Sequence, residues 1–300
     1  MSKLTKQIRE KLKKINGVLL VHNYQLPKIQ DIADYTGDSL GLSRQAASTK
    51  AEVIIFCGVD FMAQTAKILS PKKKVILPVK DATCPMAEMI TPEDLKKFKQ
   101  EHPGTPVVSY VNTTARIKAE SDICCTSSNA VKVVKSLDSK EIIFTPDKNL
   151  ADYVRKNTDK KIISWNGFCP VHHGITPRMV REIKSKYPEA MFMAHPECRP
   201  EVLKMADHIA STGGMFDAAR ETKKKKIIVG TEEGMLYPLK KQFPGKEFIT
   251  FRNRPVCKNM KKNTLRDVKS SIDSLKPQIT IDDTVIEKAA RALDRMLSIG

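Results

Sequence analysis

The stretch VIIFCGVDFMAQTAKILSPKKKVILPVKDATC, Val53–Cys84, decides the fold, because the chain carries it three times in degenerate form. An apolar run, a helix-like stretch and a second apolar run lead to a cysteine. EIIFTPDKNLADYVRKNTDKKIISWNGFC (Glu141–Cys169) and KIIVGTEEGMLYPLKKQFPGKEFITFRNRPVC (Lys226–Cys257) keep that order. Their cysteines, Cys84, Cys169 and Cys257, lie 85 and 88 residues apart. Upstream, VLLVHNY, PVVSYVN and AMFMAHPE are apolar on both faces, as buried parallel strands are. They end near His22, Tyr110 and His195, which stand 88 and 85 residues apart. A hydroxyl follows each at a distance of 17, namely Ser39, Ser127 and Thr212, and the cysteines follow 45, 42 and 45 residues later. Self-similarity at a fixed step marks a repeated supersecondary unit. Strands alternating with short helices make that unit a parallel βαβ construction of the α/β class. Ligands gather beyond the carboxyl ends of such strands. Three units would therefore set a strand-end side chain, a hydroxyl and a thiol each around one pseudo-threefold axis.

Working outward, boundaries fall just after the first two cysteines. They give units at 1–88, 89–172 and 173–264, with 265–300 as a final extension. Thr91–Pro92–Glu93 and Thr176–Pro177–Arg178 read as helix starts with proline in the first turn. Thr36–Gly37–Asp38 reads as a turn, and Ser39 is placed to cap the helix SLGLSRQAAS. Ser127 and Thr212 are likewise expected at helix starts. The tail DDTVIEKAARALDRMLSIG is an amphipathic helix with Val285, Ala289, Ala292, Leu293 and Met296 on one face. It is expected to pack back on the first unit beside the N-terminal helix. No low-complexity linker separates the units, so a closed three-domain body is expected.

Composition excludes several classes. The 300 residues are 41% hydrophobic and 29% charged, as in a soluble globular chain. No apolar run approaches the roughly 20 residues of a membrane span. MSKLTKQIREKLKKINGVLL lacks the apolar core of a signal peptide, so a cytoplasmic protein is expected, with no membrane partner. The net charge of +18 is spread along the chain. Its densest runs, Lys72–Lys74, Lys223–Lys226 and Lys258–Lys262, fall at predicted turns or helix starts. No run interleaves aromatic and basic residues as a single-strand platform does, so the charge reads as a solvated surface and no nucleic-acid partner is expected.

Seven cysteines without a Cys-x-x-Cys point to metal binding or catalysis before disulfides. Cys57 reads as a core thiol. Cys124 and Cys125 point opposite ways in an extended segment, and Cys198 reads as helix-start packing. Three thiolates from three units leave a metal incompletely wrapped, since a structural zinc site takes four protein ligands. A [4Fe–4S] cluster held by three cysteines keeps one iron free to act as a Lewis acid.

Over nearly its whole length the chain resembles the A-type quinolinate synthase family. The matching stretches are HNYQLPKIQDIADYTGDSL, GVDFMAQTAKIL, ATCPMA, YVNTTA, CTSSNAV, FCPVHHGI, MAHPECRP, ASTGGM and CKNMKKNTL. The resemblance implies three pseudo-threefold-related αβα domains with small parallel sheets and the active site at their junction. It implies one [4Fe–4S] cluster per chain on Cys84, Cys169 and Cys257. It further implies condensation of iminoaspartate with dihydroxyacetone phosphate to quinolinate in de novo NAD biosynthesis, with release of phosphate and water. A functional link to an iminoaspartate-producing enzyme follows.

Carried over by motif, His22, Ser39, Tyr110, Asn112, Ser127, His172, His195, Glu197 and Thr212 would bind substrate. Glu197, Tyr24 and His195 would be catalytic, Glu197 as the acid/base two residues past a strand end. Of the adjacent His172 and His173, His172 is expected to face inward, three residues after Cys169. Two departures stand out. Some relatives carry an extra cysteine near the last ligand, whereas none follows Cys257 here, and Gln64 stands where close relatives often have Glu. Two rival readings stay open: a [4Fe–4S] hydro-lyase acting on a small hydroxy acid, and a basic nucleic-acid-binding protein whose cysteines hold a structural metal.

Overall fold

The structure, a computed structural model, describes residues 2–299. Twelve strands fall into three sheets of four. The first holds β1 (Gly17–His22), β2 (Tyr35–Gly37), β3 (Val53–Cys57) and β4 (Lys74–Ile76) in the order β2-β1-β3-β4. The second holds β5 (Val107–Tyr110), β6 (Ile123–Cys125), β7 (Glu141–Thr145) and β8 (Lys161–Ser164) in the order β6-β5-β7-β8. The third holds β9 (Met191–Ala194), β10 (His208–Ile209), β11 (Lys226–Gly230) and β12 (Glu247–Ile249) in the order β10-β9-β11-β12. Every pairing within these sheets is parallel. One topology is thus made three times, in an α/β fold with three small parallel sheets.

The second strand of each unit departs from expectation. Tyr35–Gly37 is an edge strand rather than part of a turn, with Leu20 opposite Tyr35 and His22 opposite Gly37. β6 and β10 take the same place beside β5 and β9. A two- or three-residue strand bonded along one side needs no apolar run, so it leaves little trace in the sequence. The central strands do leave one. All five residues of β3 are buried, as are the last four of β7 and β11. Each fully buried Ile or Leu contributes roughly 1.5–3 kcal/mol.

Helix starts follow their caps. Thr91 caps Pro92–Glu101 in a reciprocal capping box, and Thr176 caps Pro177–Lys186. Two caps sit one residue earlier than expected. Asp38, not Ser39, accepts from the Gly41 N–H, and Ser211, not Thr212, accepts from Gly214 N–H. Ser127 precedes the helix Ala130–Lys135 by a turn in which Asn129 Oδ1 accepts from Thr126 N–H at 2.7 Å. In the first and third units another residue thus does the capping, while the helix of the second unit has no side-chain cap; in each the predicted hydroxyl is left for other partners.

The C-terminal extension divides. Helix Leu265–Ser274 packs beside the N-terminal helix Lys3–Lys14. The last helix, Asp283–Ile299, reaches past the first unit. It lies along helix Ala115–Ala119 and β6 of the second unit as well as helix Asp60–Leu69 of the first. Its buried face is Ile286, Ala289, Ala292, Leu293 and Met296, with Val285 only partly covered. The two alanines let the backbones approach closely, and Arg295 Nη1 donates to Asp122 O at 2.7 Å. Among the described residues no helix is long and apolar enough to cross a membrane.

Close packing at the strand ends is testable at Gly230, the last residue of β11. A Cβ there would lie 2.6 Å from Phe192 Cε2 and 2.8 Å from Met193 O. Gly230→Ala is expected to destabilise the chain by about 1–3 kcal/mol, read as a lower urea midpoint at an unchanged slope.

Candidate active site

The carboxyl ends of all three sheets meet around a cavity of about 70 Å³. Its walls include His22, Tyr24, Ser39 and Cys84 from the first unit, and Tyr110, Asn112, Ser127 and Cys169 from the second. His172, His195, Glu197, Thr212 and Cys257 complete the set of thirteen residues singled out in the sequence. No lysine or arginine lines it among the described residues. The surplus positive charge lies elsewhere on the molecule.

His22 ends β1 and His195 follows β9, and the two are held in the same way. His22 Nδ1 accepts the Tyr24 N–H at 3.2 Å, and His195 Nδ1 accepts the Glu197 N–H at 3.3 Å. An Nδ1 that accepts fixes the proton on Nε2 of a neutral ring. Burial pushes both rings down to about 3. The Lys261 charge adds to this for His22 and His172 for His195, while Glu197 only partly opposes it. Both imidazoles therefore present neutral Nε2–H donors.

Glu197 carries a carboxylate into the site and is 2% exposed. Its carboxylate lies 2.6 Å from His172 Nδ1 and 3.4 Å from His195 Nδ1, and it accepts from Asn112 Nδ2 at 3.5 Å. Burial alone would raise this carboxyl, but His172, His195 and the Tyr110 hydroxyl outweigh it and hold it low, at about 2. The His172 ring stacks on His195 at 4.4 Å between centroids. On its far side, His172 Nε2 lies 2.8 Å from Thr231 Oγ1 and 3.4 Å from the Tyr24 hydroxyl. Tyr24 and Thr231 are themselves 2.6 Å apart. Burial holds the Tyr24 phenol protonated well above its usual range. An unbroken hydrogen-bonded chain thus joins Glu197 to Tyr24 through residues of all three units.

The three cysteines each follow the fourth strand of their unit. Burial raises all three thiols; Cys257 further raises Cys84, and Cys84 further raises Cys169. Backbone amides two or three residues on oppose this: Met86 and Ala87 for Cys84, His172 for Cys169, Asn259 and Met260 for Cys257. Cys169 Sγ, a His172 nitrogen and a Glu197 oxygen also lie within 4.8 Å of one another. There His172 Nδ1 already stands between the other two, 3.2 Å from the sulfur and 2.6 Å from the carboxylate.

The remaining cysteines lie outside the cavity wall. Cys57, Cys124, Cys125 and Cys198 are fully buried, and Cys198 Sγ faces Gly230 O at 3.5 Å. His172 is buried and His173 is half-buried, while His208 is exposed. Gln64 uses both ends of its amide, accepting from Ala115 N–H at 2.7 Å and donating to Asp60 Oδ2 at 3.5 Å. It ties the first unit to the second. Sequence reasoning missed Asp38, Thr231 and Glu232. Thr231 follows an ordinary apolar strand and carries no local signal. Asp38 hides as a helix cap, and Glu232 keeps the repeat step of 85 with Asp147.

The neutral histidines impose a pH dependence. Between about pH 3 and pH 6.5 the unfolded chain protonates His22 and His195 while the folded chain does not. Stability is therefore lost as pH falls through that window, by up to about 1.4 kcal/mol per pH unit for each ring. Urea midpoints of the metal-free chain from pH 7 to pH 4 are expected to fall less steeply for His22→Asn than for wild type. Equal slopes would remove the neutral-ring assignment.

With this geometry in view, comparison with known proteins is informative. The family model described as NadA, Quinolinate synthetase A protein, matches residues 6–298. A protein of Geobacter metallireducens named quinolinate synthase is 50% identical over 296 residues, covering 99% of this chain and 97% of the relative. Those of Geotalea uraniireducens and Methanoregula boonei, with the same name, are 52% and 50% identical over 96% and 98% of their lengths. A family match across almost every residue, with relatives of matching length, settles membership: the chain belongs to the quinolinate synthetase A family of enzymes.

Proposed function

We propose that the chain is a quinolinate synthase of de novo NAD biosynthesis. It condenses iminoaspartate with dihydroxyacetone phosphate to give quinolinate, one phosphate and two waters. A separate enzyme supplies the iminoaspartate, and the work is done in the cytoplasm. The observation that carries this reading is the convergence of three thiols, one from each unit, on one small cavity lined by imidazoles, hydroxyls and the carboxyl groups of Asp38, Glu197 and Glu232.

The donor set fits a [4Fe–4S] cluster on Cys84, Cys169 and Cys257. Three half-buried thiols on one cavity, with Cys257 raising Cys84 and Cys84 raising Cys169, favour a shared soft cation. The backbone amides facing each sulfur stabilise the thiolate form. When bound, such a cluster supplies one iron without a protein ligand, a Lewis acid towards substrate oxygens.

The rest of the work falls to this chain's own side chains. Ser39, Ser127, Thr212 and Asn112 bind substrate carboxylate and phosphate as neutral hydrogen-bond partners, joined by the Nε2–H groups of His22 and His195. Donors of this kind hold anions well once water is displaced. Glu197, ionised at rest, accepts a proton from substrate carbon or nitrogen. His172 orients that carboxylate and passes charge through Thr231 to the Tyr24 hydroxyl, which returns a proton to a departing hydroxyl. Enclosure in a cavity of about 70 Å³ keeps bulk water from reactive enamine and imine species.

Anaerobic purification with iron and sulfide quantitation, followed by assay with both substrates, tests the proposal. About four irons per chain and quinolinate formed only when dihydroxyacetone phosphate is present are expected. A full cluster without quinolinate would move the reading to a hydro-lyase. Glu197→Gln is expected to keep its iron and lose about 10²–10⁴-fold in turnover. Full turnover in that variant would remove the proton role.

A further inference from the structure

We propose that Asp147 and Glu232 are positioning residues that set the thiols of Cys169 and Cys257 for the cluster, a role that rests on the three-cysteine reading above. Each carboxylate has one oxygen on a helix start and the other on the cysteine loop of its own unit. Asp147 caps helix Lys148–Lys156, its Oδ1 accepting from Leu150 N–H at 2.8 Å. Its Oδ2 accepts from the Cys169 N–H at 3.0 Å. Glu232 precedes the 3₁₀ turn Glu233–Met235, its Oε2 accepting from Gly234 N–H at 2.7 Å. Its Oε1 accepts from the Cys257 N–H at 3.0 Å, and the carboxylate also pairs with Lys261 Nζ at 3.0 Å. Both side chains are fully buried.

Capping alone needs one oxygen. The second oxygen is what calls for a further explanation, and it falls in each case on the amide of a cysteine that lines the cavity. All three units share a backbone latch from the helix start to the residue two before the cysteine. Asp60 N donates to Ala82 O at 2.8 Å, Lys148 N to Gly167 O at 2.8 Å and Glu233 N to Pro255 O at 2.9 Å. In the first unit, Val59 stands where the others have Asp147 and Glu232. The loop of Cys84 is also held from the third unit, where Asn259 Nδ2 donates to Thr83 O at 2.8 Å. One residue on from Val59, burial raises the Asp60 carboxyl while the Phe61 and Cys84 amides oppose it, so in every unit a carboxylate faces the cysteine amide, most closely at Cys169 and Cys257. Groups behind a metal ligand that fix its orientation commonly govern how firmly the metal is held.

Asp147→Asn and Glu232→Gln separate the two duties. The amide retains one acceptor for the helix start but turns an NH₂ toward the cysteine N–H, donor against donor. In the reconstituted enzyme, iron transfer to a strong chelator under anaerobic conditions is expected to run about 10-fold faster in each variant. Both metal-free variants are expected to melt below wild type, because a buried donor loses its acceptor, so the comparison is made with a variant destabilised elsewhere. Thr176→Ala, which removes a cap far from the cysteine loops, is expected to lower the melting temperature and leave iron release unchanged. Release at the wild-type rate in both amide variants overturns the inference, as does equal acceleration in Thr176→Ala. Should Asp147→Asn fail to fold, Glu232→Gln decides alone. A wild-type chain that takes up no iron overturns the three-cysteine reading and this inference together.

Discussion

Parallel pairing is the constraint from which the rest of this structure follows. A strand that must lie parallel to its neighbour returns through a crossover, so every strand of a sheet points its carboxyl end the same way. The loops able to carry chemistry then gather on one edge. Here three sheets with one strand order turn that edge toward a common point. His22, Tyr110 and His195 sit at equivalent strand ends, and Cys84, Cys169 and Cys257 each follow a fourth strand. The repeat in the sequence is the record of that geometry.

The cavity wall combines neutral imidazoles and hydroxyls with the carboxyl groups of Glu197, Asp38 and Glu232, the last paired with Lys261. Glu197 would be costly to bury alone, and His172, Tyr110 and Asn112 offset that cost by direct contact. Its neighbours His22 and His195 stay uncharged because burial outweighs the attraction of the carboxylate. The positive surplus of the chain is displayed on the outside, where Lys and Arg meet solvent and surface carboxylates such as Asp152 and Glu182. An anionic substrate would meet attraction on approach and hydrogen-bond donors on arrival.

Much of this could be read from residues alone, and the exceptions share a cause. Strands β1 and β3 and their counterparts announce themselves because burial on both faces forces apolar runs. β2, β6 and β10 do not, since pairing along one edge is a backbone matter. The hydroxyls at positions 39, 127 and 212 were placed by spacing, but the neighbouring capping partners were not. Asp38 and Ser211 do the capping, and one-residue shifts lie below what periodicity resolves. The last helix was legible as amphipathic, yet its partner was not. An apolar stripe states that something is covered without saying which of three similar units covers it. Thr231 was invisible for a simpler reason: nothing in TEEG distinguishes a hydroxyl beside Tyr24 from one in any other loop.

The distribution of the thiols has a consequence for biogenesis. No unit brings more than one of the three sulfurs to the cavity, and the chain must run from residue 84 to residue 257 before all three can meet. The last helix then closes back over the first two units. A nascent or clipped chain therefore lacks the complete donor set whatever the state of its individual sheets. A cofactor held by all three thiols would be captured only by finished tertiary structure, its insertion following the docking of the third unit.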